Sequence, residues 1–209
     1  MIGLLLTRTM EAYRDPRSSA RRILDAGPNM SDALAMAVAG FVVSTLLIRA
    51  AEMLFGVTLI EALSPADDAT AEEVQARVAQ AQTLAALARQ FLFHFLELGF
   101  ISMLGWVIGM AAGGSASLAH VFILASWWSL AGALLLALGQ IAILALSPAA
   151  LSFGMFVAFA ALLYFLFLFA AFLAEAHNFE SEAAVFVIGL GVLFALTLVT
   201  AIIFGSMSG

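Results

Sequence analysis

The sequence predicts an all-α integral membrane protein with five transmembrane helices and an N-terminal amphipathic surface helix. Hydrophobic residues make up 64% of the chain and charged residues only 11%, where a soluble domain carries about 25% charge. Mean hydropathy is +1.10. The apolar runs are long and continuous, without the apolar–polar alternation of barrel strands. Eight basic and 14 acidic residues cannot cover a soluble fold of 209 residues, so a water-soluble enzyme is excluded. With no Cys there is no disulfide frame, thiolate metal site or thiol nucleophile.

The first element lies in a cytoplasmic amphipathic segment, residues 1–30. The net charge of −6 hides an asymmetry: all eight basic residues are Arg, and Arg8, Arg14, Arg17, Arg21 and Arg22 lie in the first 22 positions. They are interleaved with Glu11, Asp15 and Asp25, which fits a lipid surface and argues against nucleic acid as a partner. Asp15-Pro16 starts a helix and Gly27-Pro28 stops it, as proline at the first helical position and glycine past the end do. Over 16–26, Ala20, Ile23 and Leu24 share a side while Arg17, Arg21 and Arg22 fan around the rest. Such a helix is expected to lie on the bilayer with its basic groups at the phosphates. Residues 2–13 form a second candidate, with Ile2, Leu6, Met10 and Tyr13 at helical spacing. Met1 to Leu6 has no basic region before its apolar residues, so no cleavable signal peptide is expected.

The transmembrane domain is expected over 31–205, with a short periplasmic tail at 206–209. Its spans are placed near 32–54, 88–112, 124–146, 150–173 and 183–205, each long enough for ~30 Å of hydrocarbon. Arg49 and Glu52 interrupt the first and must snorkel outward. An acidic connection follows, with Glu61, Asp67, Asp68, Glu72 and Glu73 against Arg77. Gly113-Gly114-Ser115 breaks the chain after the second span. Residues 115–126, with His120, are read as a partly interfacial helix leading to Trp127-Trp128, a pair suited to an interface belt. Ser147-Pro148-Ala149 makes the third and fourth spans a tight hairpin, and 174–182 joins the fourth to the fifth. Arg counting places the N-terminus in the cytoplasm and Gly209 in the periplasm.

Ionisable groups inside spans are costly and mark sites by default. The intramembrane polar cluster consists of Arg49 and Glu52 in the first span and Arg89, His94 and Glu97 in the second. Spacing of three puts His94 beside Glu97 and Arg49 beside Glu52. The expected role is interhelical pairing, with Glu52–Arg89 the obvious couple between antiparallel neighbours; the alternative is a proton- or ion-responsive cavity. Three His on separate segments make no metal site. No catalytic or cofactor-binding motif is present: GxSxG, P-loop and Rossmann glycines are all missing. Glu175, His177 and Glu180 have acid–base residue types, but acidic residues there also suit the N-terminal dipole of the fifth span. Gly105, Gly109 and Gly113 recur every four residues, a helix-packing pattern that seats a helix of the same chain or, between copies, makes a dimer. The fourth span carries Phe153, Phe156, Phe159, Phe165, Phe167, Phe169 and Phe172 on several faces, as a lipid- or partner-facing helix would.

The Asp15-Pro16-Arg17…Arg21-Arg22 opening, Gly113-Gly114-Ser115 before the third span, Ala174-Glu175-Ala176-His177-Asn178-Phe179 before the fifth and the five-span layout with the N-terminus inside are together similar to the bacterial branch of the Yip family. The eukaryotic members bind Rab-type GTPases in vesicle traffic. This sequence lacks their Asp-Leu-Tyr-Gly-Pro stretch and long N-terminal region, so that role is not carried over. The resemblance implies a multi-pass protein of the bacterial inner membrane, and the missing motifs lead us to expect no catalysis and no cofactor. Its expected work is organising the membrane or serving as an accessory or scaffold subunit, with lipid, a homodimer or a larger membrane complex as partners. The alternative is a small transporter or channel using the Arg/His/Glu cluster.

Overall fold

The computed structural model describes residues 2–55, 73, 79, 83–145 and 151–207, and every regular element among the described residues is helical. Among the described residues, two short helices, α1 (Ile2–Arg14) and α2 (Pro16–Asp25), precede five long ones. These are α3 (Met30–Phe55), α4 (Leu84–Ala111), α5 (Leu118–Ala145), α6 (Leu151–His177) and α7 (Glu182–Met207). Helices α3 to α6 are long and apolar enough to cross a membrane. The acidic connection over 61–72, with Arg77, the turn at 147–149 and residues 208–209 lie outside the described residues.

Local chemistry fixes the helix starts. Asp15 caps α2, its carboxylate accepting from the Ser18 backbone N–H at 3.1 Å and the Ser18 hydroxyl at 2.6 Å. Those two bonds hold its carboxyl below the usual carboxylate range. Asn29 and Asp32 cap α3 reciprocally, each side chain accepting from the other's backbone N–H. Thr83 caps α4 through the Ala86 N–H.

Helix α5 is the axis of the bundle. About 67% of its apolar window is buried, against 11–28% for the other three spanning helices. It packs against α3, α4 and α6, and α7 packs on α6. Its composition explains this, because Ala125, Ser126, Ser129, Ala131, Gly132, Ala133, Ala137 and Gly139 are all buried and let neighbouring backbones come close. A Cβ on Gly40 of α3 would lie 2.8 Å from Ser129 Oγ and 3.0 Å from Leu130 N. One on Gly139 would lie 2.9 Å from the Ala158 Cα of α6, and one on Gly154 2.9 Å from the Ala142 carbonyl oxygen.

Three expectations are corrected here. The first two spans are not close partners: α3 packs mainly on α5 and meets α4 lightly, through Phe41 against Phe91 and His94. Small residues on α5 outweigh mere sequence adjacency. Of the Trp pair, Trp128 is not available to an interface belt. Helix α5 is continuous from Leu118, and Trp128 is buried in the core, stacked on Phe165 at 4.0 Å with its indole N–H on the Phe165 carbonyl. The aromatic fourth span is divided along its length. Phe153, Phe156 and Phe159 are exposed, whereas Phe165 and Phe169 pack against the core and Phe172 is buried within it.

The close α5–α6 contact makes a sharp prediction. Gly139→Ala should lose about 1–3 kcal/mol, because the added methyl meets backbone. Gly189→Ala, in open space on α7, should be neutral or gain up to about 1 kcal/mol of helix stability. Melting of the two variants in one mild detergent checks the order.

Candidate functional site

Two polar arrangements stand out, one at the end of the bundle where α2, the 112–117 connection and the 178–181 connection meet, the other inside it.

At the end of the bundle, Glu175 is buried in the last turn of α6. Arg21 Nε donates to its Oε1 at 2.6 Å and Arg17 Nε to its Oε2 at 3.3 Å. Arg17 also donates to the Phe179 carbonyl at 2.7 Å, the Glu180 carbonyl at 2.9 Å and the Glu182 carboxylate at 3.3 Å. One guanidinium thus spans the whole α6–α7 connection, using the planar fork that lysine lacks. The pairing raises the Arg21 pKa above its ordinary value through the Glu175 hydrogen bond and charge. Arg22 lies aside, 3.4 Å from Glu11.

The same end is locked from the other side by His177. Helix α6 ends there, with Asn178 in the left-handed region at φ 59° and the Phe179 N–H returning to the Ala174 carbonyl, the bonding of a Schellman motif. The His177 ring is buried, with Phe179 stacked against it. It lies so close to α4 and its connection that a Cβ on Gly109 or Gly114 would come within 2.2 Å of it. Gly105 likewise leaves room for Leu173. Gly113 differs from these three, because at φ 88° and with open space around it, its part is to end α4. Asn178 Nδ2 then reaches Ser115 Oγ at 3.1 Å.

Helix α2 therefore meets protein where lipid is expected. Ala20 and Ile23, the face expected to enter the bilayer, belong to the core beside Leu124, Leu168 and Phe172. Arg17 and Arg21, expected at phosphates, are held by Glu175. Helix α1 follows. The Tyr13 hydroxyl donates to the Ala131 carbonyl and the Tyr164 hydroxyl to the Tyr13 carbonyl. Burial, and secondarily Tyr164, push the Tyr13 phenol up to about 12, so it remains a donor.

The inner site is a cleft of about 220 Å³ walled by α3, α4 and α5. Ser44, His94, Glu97, Ser129 and Gln140 line it together with apolar side chains. His94 Nε2 and Ser129 Oγ are 3.2 Å apart, and Ser44 gives its proton to the Phe41 carbonyl. The Oε1 of Gln140 is buried without a hydrogen-bond partner. His94 and Glu97 are thus brought together. The other three members are not part of this cleft: Arg49 takes Glu52 on its own helix at 2.8 Å, and Arg89 is exposed. The expected Glu52–Arg89 couple is replaced by that local pair, because spacing of three on one helix places the groups together without any interhelical approach. Among the described residues no group of three or more His, Asp or Glu is placed to hold a metal ion.

Sequence reasoning missed Ser44, Ser129 and Gln140 as cleft residues and Glu175 as the partner of the N-terminal arginines. Gln140, a lone amide in an otherwise apolar span, was the available signal. For Glu175 there was little, since its partners lie more than 150 residues away.

An all-α fold with four apolar helices of spanning length, closed at one end by an arginine–carboxylate clamp, defines a multi-pass membrane protein. The family model of the Yip1 domain matches residues 10–203, nearly the whole chain. The chain belongs to the Yip1 domain family. No curated protein and no solved structure matches it.

Replacing Arg17 by Ala should cost at least about 2 kcal/mol, since it removes charge-assisted bonds from a buried carboxylate, and should expose residues 8–22 to limited proteolysis. Arg21→Ala, at a largely exposed guanidinium, should do less on both measures. Arg89→Ala should stay within about 0.5 kcal/mol of the parent in detergent melting, as for an exposed side chain.

Proposed function

We propose that the protein is a five-span, non-enzymatic membrane scaffold or accessory subunit, with α7 as the fifth span. One observation carries this reading. Glu175 and Glu182 of the 174–182 connection are committed to Arg17 and Arg21 of the chain's own N-terminal segment, and His177 packs against α4 and its connection, while what faces outward is large and apolar: Leu46, Met53, Leu92, Phe93, Phe100, Phe153, Phe156 and Phe194. Such surfaces suit lipid and the helices of other subunits, a second copy included. Residues 183–209 carry no charge at all, which supports α7 crossing the bilayer. The arginines that cluster near the N-terminus favour a cytoplasmic N-terminus and a periplasmic C-terminus in a bacterial inner membrane.

The transporter or channel reading has the His94–Glu97 cleft in its favour. Against it, α5 to α7 offer few polar groups to line a path.

Two experiments test the proposal. Affinity purification in mild detergent should recover a stoichiometric membrane partner or a homodimer, whereas a lone monomer that moves solute across liposomes would support the second reading. A C-terminal reporter active only in the cytoplasm should be silent; activity there would overturn the five-span count or its direction.

A further inference from the structure

The inner cleft is left unexplained by the scaffold reading. It runs along the helices: between Ser129 and Gln140, both in its wall, α5 rises about 16 Å at 1.5 Å per residue. Its polar groups are spread over that length. His94 touches Ser129, Ser44 stands one turn of α3 beyond Gly40, and Gln140 lies furthest from the Glu175 clamp.

One end of the cleft is shut. Ala37, Leu98 and Ala125, one from each wall helix, are buried together, with Phe95 and Phe169 packed against them. Each lies one helical turn from Gly40, His94 or Ser129, on the side of the clamp. The other end is built differently. Among the described residues α4 supplies no wall residue before His94, and the turn of α3 past Ile48 carries the charged pair Arg49 and Glu52. Towards lipid, Phe41 bridges α3 to α4, with ring centroids 5.3 Å from Phe91 and 5.7 Å from His94.

An internal space takes water when it is roomy and offers several polar partners, and stays dry when its wall is apolar. The cleft, at about 220 Å³, meets the first condition with a carboxylate, an imidazole, two hydroxyls and an amide in its wall. A second cavity, of about 160 Å³ between α4, α6 and α7, meets the other, since among its described wall residues only His177 is ionisable. Hydrocarbon in the first cleft would leave His94 and Glu97 facing an apolar medium, which is strongly disfavoured. Water removes that conflict.

We propose that the cleft between α3, α4 and α5 is a water-filled, dead-end vestibule that opens at the end of the bundle opposite the Glu175 clamp and solvates His94 and Glu97 within the membrane. This does not depend on the scaffold reading, since water access is read without partner or flux.

The test uses the natural absence of Cys from the chain, which lets a single introduced cysteine report on its own position. The full chain in lipid nanodiscs is treated with 2-(trimethylammonium)ethyl methanethiosulfonate. Its fixed charge keeps it out of hydrocarbon, and it reacts with the thiolate, the form that water favours. Gln140→Cys should be modified fastest and Ser44→Cys next, both at least about tenfold faster than Leu138→Cys. Leu138 is 61% exposed on the same helix as Gln140, so exposure alone predicts the opposite order. Ala125→Cys, at the shut end, should stay unmodified. A ratio below tenfold for Ser44→Cys over Leu138→Cys would overturn the proposal. Ser44→Cys faster than Gln140→Cys would overturn the position of the mouth, and modification of Ala125→Cys the dead end. Ser44→Cys exchanges one oxygen for sulfur, so its comparison with Leu138→Cys decides even if Gln140→Cys does not fold.

Discussion

The arrangement of this molecule depends on one buried carboxylate. Glu175 is almost wholly shielded at the end of α6, and a buried charge is tolerated only when paired and hydrogen-bonded. Its partners, Arg17 and Arg21, come from the opposite end of the sequence. Satisfying Glu175 therefore draws α2 onto the bundle, and Arg17 then ties down the Phe179 and Glu180 carbonyls. Once α2 is docked, Ala20 and Ile23 find a protein core, and Tyr13 of α1 reaches the carbonyl of Ala131. Electrostatics fixes the position and apolar burial contributes the area.

Close packing sets the rest. In hydrocarbon there is no hydrophobic drive to bring one apolar helix onto another, so helices come closest where small side chains line the contact. Helix α5 meets that condition along its length, and Gly40, Gly139 and Gly154 on or against it allow backbone to approach backbone. Gly109 and Gly114 serve a more specialised purpose, leaving room for the flat ring of His177. The short segments Asp15–Arg22, Gly113–Ser115 and Ala174–Phe179, far apart in sequence, are thus three sides of one junction.

The polar groups inside the bundle divide by the same physics. Arg49 and Glu52 neutralise each other across one helical turn, and His94 is satisfied by Ser129. Glu97 lies beside His94 in the same cleft, and among the described residues Gln140 Oε1 has no hydrogen-bond partner.

The sequence by itself determined the membrane class, the helical content, the boundaries of α2 from Asp15-Pro16 and Gly27-Pro28, and the placing of Arg49 and Glu52 on one helical face, though not their pairing. These follow from composition, capping and helical spacing, all of which act over a few residues. Only the tertiary structure decided that Arg17 and Arg21 belong to Glu175, that Trp128 is a core residue and that α3 leans on α5 with α4 set apart. An amphipathic helix has the same pattern whether its apolar face meets lipid or protein, and apolar periodicity carries no record of which neighbour fills it. That choice rests on contacts between residues more than 150 positions apart, which no local pattern contains.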